Sequence, residues 1–243
     1  MTELISQTDA FVREFDATVT GVDGALVTLD RTAFYPGGGG QPCDIGTLTF
    51  GDAKANVTKV SRKDGEIVHE LDGRLSPEGA QVLVGARVTG VVDWGNRHAL
   101  MRTHTALHIL CGVIWRDFGA HVTGGNMTPL AGRMDFEFEN MTADFAERVE
   151  ELANAEITAA RDISVRFLPR DAAFAHPDLI RTKINLLPEG IPEVRVVDIN
   201  GLDVQADGGT HVANTRDVGR IRIVGHESKG RINKRLRLVI EDA

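Results

Sequence analysis

The chain has little cysteine, with only Cys43 and Cys111 among 243 residues. Two thiols cannot build the bridge framework of a small secreted domain, so a reducing compartment is expected. No apolar run approaches the ~20 residues that span a bilayer, and no membrane partner is expected. Met1 to Phe15 mixes Glu3, Asp9, Arg13 and Glu14 among its apolar residues. It lacks a basic stretch followed by an apolar one, so no signal peptide is expected and the cytoplasm is the expected location. Positive charge is also short, with 27 Lys and Arg against 35 Asp and Glu and a formal net charge of −8. That excludes attraction of the whole surface to nucleic acid, because phosphate contacts need Lys and Arg. A nucleic-acid partner would need a local basic patch on an acidic body. The hydrophobic share of 42% and the charged share of 26% are those of an ordinary water-exposed protein. The length suits one or two domains of ~100–200 residues, and nothing in the sequence sets an oligomeric state.

The first ninety residues read as strands. Phe15 to Leu29 alternates apolar and polar residues around a turn marked by Gly21 and Gly24. Ile45 to Phe50, Ala55 to Arg62, Ile67 to Leu71 and Gln81 to Val92 repeat the pattern, and Lys63-Asp64-Gly65 is a hairpin turn. Short strands in series predict a small barrel. The pattern changes near Asp93. Asn96 to Phe118 reads as a helix with Leu100, His104, Leu107, His108 and Cys111 on or near one face. Thr142 to Ala160 reads as a second helix, capped by Thr142, with a stripe of Phe145, Val149, Leu152 and Ala153. Strands are expected at Arg133 to Glu139, Val194 to Ile199, Arg220 to Val224 and Arg235 to Glu241, with a polar, proline-punctuated stretch from Pro169 to near Pro192. The expected class is α+β, with a small β-barrel domain over 1–92 and an α+β domain over 93–243.

Three stretches carry candidate chemistry. His104 and His108 stand four apart on the expected helix, on one face, so both imidazoles can reach one ion. A metalloprotease of the zincin type would have Glu after the first histidine; Thr105 stands there. The competing reading is a pair of satisfied, partly buried histidines. Asp207-Gly208-Gly209-Thr210-His211 lies in a loop between expected strands. His211 can complete a three-histidine site, and Asp207 is an acceptable zinc ligand; the plain alternative is a glycine turn with a capping Asp. Thr32-Ala33-Phe34-Tyr35-Pro36 runs into Gly37 to Gly40 and Gln41. Four glycines let backbone approach a ligand and offer several N–H donors. No Gly-Lys-Ser/Thr follows, so this is not a P-loop, and a flexible turn is the equal alternative. The basic residues crowd toward the end: Arg216, Arg220, Arg222, Lys229, Arg231, Lys234, Arg235 and Arg237. They read either as a solvated hairpin face or as a phosphate-binding patch.

Thr32 to Gln41, His104-x-x-x-His108, and Gly208-Gly209-Thr210-His211-Val212 with Thr215 and Gly219 resemble the alanyl-tRNA editing family. That family comprises the editing domain of alanyl-tRNA synthetase and the free-standing AlaX proteins. Asp93, Arg97 and Arg102 fit its run into the helix, and Lys229-Gly230 with Asn233 and Arg235 resemble its C-terminal pattern. The similarity covers nearly the whole chain, in order, and leaves no room for an aminoacylation domain, so the medium-length free-standing type is expected.

The resemblance implies a barrel followed by a zinc-binding editing domain, and hydrolysis of serine, with glycine as a further substrate, from mischarged tRNA(Ala). His104, His108 and His211 are then the zinc ligands. The family usually has Cys before Gly-Gly-Thr-His; here Asp207 stands in that place, so a carboxylate is the expected fourth ligand. Cys111, one turn beyond His108, is read as core rather than as its substitute. Thr32 is the first candidate for contact with the serine hydroxyl and Thr123 the second. Gly38, Gly39, Gly40, Gln41, Lys229, Arg231, Lys234, Arg235 and Arg237 are the expected tRNA contacts. Two other classes compete: a non-catalytic RNA-binding module with structural zinc, and a metal hydrolase of small molecules.

Overall fold

The computed structural model describes residues 2–73, 82–139, 141–175, 179 and 190–242. The chain divides into two compact units, Met1–His98 and Ala99–Ala243. The division falls inside a helix, whereas the sequence pattern changes at about residue 93.

The first unit contains β1 (Glu3–Leu4), β2 (Glu14–Asp23), β3 (Leu26–Leu29), β4 (Arg31–Thr32), β5 (Gly46–Phe50), β6 (Ala53–Lys63), β7 (Glu66–Leu71) and β8 (Arg87–Val92). Six of these strands close a barrel in the order β2-β3-β7-β6-β5-β8, and β1 pairs in parallel with β4. Alternation decides which side chains fill the barrel: Phe15, Ala17 and Val19 from β2, Val27 and Leu29 from β3, Leu48 and Phe50 from β5. In β6 the inward series Ala53, Ala55, Val57 skips to Val60, because the pairing with β7 shifts register between Val57 and Lys59. The strand expected from Gln81 begins at Arg87; Gln81 itself lies outside the described residues, as does most of the stretch between Phe174 and Pro192.

A buried ion pair ties down the glycine-rich segment of this unit. Arg97 and Asp44 are both sealed from solvent. The guanidinium donates to both Asp44 oxygens and to the carbonyls of Ala10 and Ala33, at 2.7 and 2.6 Å. Asp44 in turn accepts the Tyr35 N–H at 2.6 Å. Buried charges persist only when paired and fully hydrogen-bonded, and here Arg97 and Asp44 meet that condition while pinning both ends of the loop from Ala33 to Asp44.

The second unit is built on α1 (Trp94–Phe118), which starts in the preceding residues, followed by β9 (Val122–Thr128), β10 (Ala131–Glu137), α2 (Ala143–Thr158), β11 (Ile163–Pro169), α3 (Arg170–Phe174), β12 (Glu193–Ile199), β13 (Asp203–Ala206), β14 (Arg220–Ser228) and β15 (Asn233–Glu241). The strands form a four-stranded sheet, β14-β15-β10-β9, and a three-stranded sheet, β11-β12-β13. Thr142 caps α2 as its sequence predicts, accepting the Phe145 N–H. Helix α1 is buried almost all round between Leu100 and Ile114, not along one stripe. Two glycines show why. A methyl group at Gly132 on β10 would lie 3.2 Å from Leu107, and one at Gly112 within α1 would lie 2.9 Å from Leu202 and 3.0 Å from Asp203. The helix therefore runs between the β10 sheet and the β12–β13 turn, and Gly112 lets that turn come close. No helix among the described residues is long and apolar enough to cross a membrane.

One inward position of β7 is polar. Ile67, His69 and Leu71 share the barrel side of the strand, and His69 is fully buried. Burial pushes its pKa from 6.5 down to about 4, opposed in part by the Val27 carbonyl. The unfolded chain takes up this proton near pH 6.5 and the folded chain only near 4. The contribution to stability is thus complete above about pH 6.5 and is lost as pH falls toward 4, by about 3 kcal/mol across that window. Urea unfolding at pH 7 and 4.5 is expected to show a larger loss in the unaltered protein than in His69→Gln. Equal losses would mean that His69 titrates alike in both states.

Candidate metal centre

Helical periodicity puts His104 and His108 on one face of α1, their rings 5.0 Å apart. The loop after β13 supplies the other two side chains. Asp207 accepts the Gly209 N–H at 2.7 Å, a local turn that folds the chain back so that His211 faces the helix. The His211 ring then lies 4.5 Å from that of His104 and 4.7 Å from that of His108. One ligand atom from each of His104, His108, Asp207 and His211 falls within 4.8 Å of all the others.

The donor set fits a metal ion. Ligand atoms bound at ~2.0–2.1 Å to one tetrahedral ion stand roughly 3.3 Å apart. Asp207 Oδ2 is 3.1 Å from His211 Nε2, and Asp207 Oδ1 is 3.6 Å from His104 Nε2. The outward ring nitrogens have their own partners. His108 Nδ1 lies 3.1 Å from Asp203 Oδ2, and His211 Nδ1 lies 3.1 Å from Thr105 Oγ1. Each of these contacts fixes a ring so that Nε2 faces the centre, as second partners do in metal sites. Arg195 donates to the Asp207 backbone carbonyl at 2.8 Å and steadies the loop from behind.

Electrostatics agree with a cation at the centre. Burial, joined by the neighbouring imidazoles and Arg195 against the pull of Asp207, holds His104 well below the usual histidine range. Burial likewise takes His211 to about 4, against its hydrogen bond to Asp207. His104 Nε2 and Asp207 Oδ1 thus approach as two of the four clustered donor atoms. His108 differs: burial pushes it down, and the hydrogen bond to Asp203 outweighs that and raises it. For Asp207, burial favours the neutral acid, but His104, the hydrogen bond to His211 and His108 outweigh it and hold the carboxyl well below the usual carboxylate range.

The remaining sequence-nominated residues fall in several places. Cys111 is buried and accepts from Gln205, and it is not one of the four clustered residues. Thr32 is fully buried, its hydroxyl 2.9 Å from His69 Nε2. Thr123 is exposed on β9 and donates to Asn233. Gly37 to Gly40 all take positive φ, from 58° to 133°, a run that only glycine sustains. Gly38 and Gln41 exchange backbone hydrogen bonds, and the Tyr35 hydroxyl donates to the Gly38 carbonyl. Among the basic residues, Arg235 grips Asp135 through two bonds of 2.7 and 2.8 Å, and Arg237 pairs with Glu227. Lys229 also approaches Glu227, at 3.4 Å, and Lys234 donates to the carbonyls of Gly230 and Arg231. Arg231, at the β14–β15 tip, has no ion-pair partner among the described residues. Asp203, Gln205 and Arg195 went unnoticed in the sequence. Asp203, Gln205 and Asp207 alternate at spacing two, a signal that could have put all three on one strand face.

Comparison with known proteins places these features in a class. Residues 194–237 match the second additional domain of threonyl and alanyl tRNA synthetases, and residues 4–96 match class II (A) tRNA synthetases. Over 97% of its length the chain is 39% identical to the alanyl-tRNA editing protein AlaX-M of Saccharolobus solfataricus, covering 98% of that protein. It is 36% identical to the AlaX-M of Methanosarcina barkeri over the full length of both. It is also 39% identical to the alanine–tRNA ligase of Ignicoccus hospitalis, over 89% of this chain but 23% of the ligase. The chain belongs to the alanyl-tRNA editing family.

Asp203 gives the site a test. Asp203→Asn keeps the shape and removes the charge behind His108. Metal affinity, read by chelator competition, is expected to fall about 10–100-fold, with folding retained. Unchanged affinity would reduce Asp203 to a packing role.

Proposed function

We propose that this protein hydrolyses the ester joining serine, and also glycine, to the terminal adenosine of tRNA(Ala), and spares alanine. Membership of the alanyl-tRNA editing family makes it an aminoacyl-tRNA deacylase. The observation that carries the reading is the group of three buried histidines and one ionised carboxylate in a chain of that family. Zinc is the metal proposed for His104, His108, Asp207 and His211, since nitrogen and oxygen donors at these separations suit it. When bound, it supplies a Lewis acid that polarises an ester carbonyl or holds an amino group.

The protein's own groups do the rest. Asp203, Thr105 and Arg195 hold the donor set rigid. The turn from Gly38 to Gly40, with Gln41, takes the substrate's 3′ end through the exposed backbone of Gly39 and Gly40, because backbone donors tolerate any base. Thr32 is assigned to the serine hydroxyl by the family resemblance, and because it is fully buried beside His69 that contact requires the chain around it to open. Thr123, already bonded to Asn233, is the second candidate. The β14–β15 tip, with Arg231 and Lys229 leading and Lys234, Arg235 and Arg237 behind, faces tRNA phosphates. Arg231→Glu is expected to weaken tRNA binding and to flatten its salt dependence by about one slope unit. An unchanged slope would assign the tip to solvation.

A second reading has an observation in its favour. Four protein ligands are also the pattern of a closed structural zinc site, which would make the chain an RNA-binding module. Deacylation of serine-, glycine- and alanine-charged tRNA(Ala) separates the readings. Serine and glycine should be released and alanine retained, with no comparable turnover of free amino-acid esters. Binding without release would establish the module; release from free esters would establish a small-molecule hydrolase.

A further inference from the structure

Aromatic and basic side chains gather on the surface of the first unit, where the chain enters β2 and leaves β8. Val12 packs against the barrel core, and its neighbours Phe11 and Arg13 stand exposed. The Phe11 ring lies 6.2 Å from the ring of Trp94, tilted by 45°. The Arg13 guanidinium sits 4.1 Å from the centre of the Trp94 ring, and His98, one helical turn on, stacks on Trp94 at 5.6 Å and 28°. The carboxylates beside this group are occupied: Asp9 accepts the Phe11 N–H at 2.8 Å, and Asp93 accepts the Asn96 N–H at 3.0 Å. Arg13 has no ion-pair partner among the described residues. A brace that only held this segment to the helix would bury the Phe11 ring; the residue is 46% exposed.

The group is held in place from below. The Arg13 carbonyl accepts the Val92 N–H at 2.8 Å, and the Ala10 carbonyl accepts from the buried Arg97. The same Arg97 guanidinium holds the Ala33 carbonyl, at the root of the glycine-rich turn. One buried cation therefore fixes both this surface and that turn within the unit.

We propose that Phe11, Arg13 and Trp94 form a stacking platform for an unpaired nucleotide in the single-stranded 3′ end of tRNA: the base lies on the Phe11 ring, and Arg13, held against Trp94, meets a phosphate. This rests on the reading that tRNA is the substrate. Every base has a flat π face, so an exposed aromatic ring accepts any of them. The unpaired guanidinium supplies the positive charge that the acidic body as a whole denies to RNA. A paired base is already stacked in its helix, so the platform selects the unpaired end over the duplex. With the terminal nucleotide at the glycine-rich turn, the platform takes one that precedes it.

The test measures binding of uncharged tRNA(Ala), whole and with its unpaired 3′ nucleotides removed, to the unaltered protein, Phe11→Ala, Phe11→Tyr and Arg13→Gln. The unaltered protein should bind the whole tRNA more tightly than the trimmed one. Phe11→Ala should weaken binding of the whole tRNA about tenfold and leave that of the trimmed tRNA unchanged. Phe11→Tyr keeps the ring and should keep the affinity. Arg13→Gln should flatten the salt dependence of whole-tRNA binding by about 0.7 slope unit, the value for one single-strand phosphate. Trp94 and Trp115 are the only tryptophans. In a Trp115→Phe background, Trp94 emission should therefore change with the whole tRNA and not with the trimmed one.

No binding of either form by the unaltered protein would overturn the tRNA reading and this inference with it. Binding indifferent to trimming or to Phe11→Ala, an equal loss for both forms, or unchanged Trp94 emission would overturn the platform alone.

Discussion

The structure of the second unit depends on an ionised carboxylate held among three buried imidazoles. Asp207 stays charged with little access to water, and none of the three rings is more than 6% exposed. Such a charge in a low-dielectric interior is tolerated only when something balances it. Beside the carboxylate stand the three imidazoles and the Arg195 guanidinium, 3.8 Å from Asp207 Oδ2. A divalent cation held by these four side chains, His104, His108, Asp207 and His211, would balance the charge and use the imidazole lone pairs at the same time. Much of the surrounding architecture serves that grouping. Helix α1 supplies a rigid two-histidine face, the Gly209 turn returns the chain to it, and Gly112 clears the space through which Asp203 reaches His108.

The first unit solves a different problem with a comparable device. Its glycine-rich turn has four successive positive-φ residues and would wander if left to itself. The Arg97–Asp44 pair fixes both flanks, through the Ala33 carbonyl and the Tyr35 N–H. The residues that carry the family resemblance in the sequence thus divide by physical role. Arg97 is a buried clamp, and Arg102 braces the end of the chain through the Val218 and Glu241 carbonyls. Gly219 has φ of +85° and leaves no room for a side chain beside Glu241 and Arg102. Thr215 ties α2 to its own loop through the Glu156 carbonyl. The clustered histidines, with Asp207, are the group that could hold a metal ion.

How much of this was legible in the sequence varied with the signal. The barrel was readable because β3, β5 and β7 alternate, as do β2 and β6 outside their register shifts. The histidine pair was readable because helical spacing alone puts His104 and His108 together. The strand β9 was not, because Val-Thr-Gly-Gly-Asn-Met-Thr has no alternation and owes its form to backbone pairing with β10. The strand β11 was missed because its residues are largely exposed and only β12 holds them extended. Burial of α1 extends beyond the face marked by His104 and His108, because packing between two sheets covers nearly all sides of the helix. The basic run from Lys229 to Arg237 looked like one patch. Registration of β15 against β10 puts Arg235 directly opposite Asp135, and that cross-strand pairing is not visible in linear order. His69 drew no attention, since an isolated histidine in an apolar alternation carries no local mark of its partner on β4.

Metal analysis of protein purified without added metal tests the central claim most directly. The account predicts about one zinc per chain. Replacing His104, His108 and His211 together should abolish it, and Asp207→Ala should let the ion exchange faster with a chelator than it does in the unaltered protein. Zinc retained at the same level in the triple variant would contradict the account, because the charge on Asp207 would then be balanced by something other than an ion held at these four side chains.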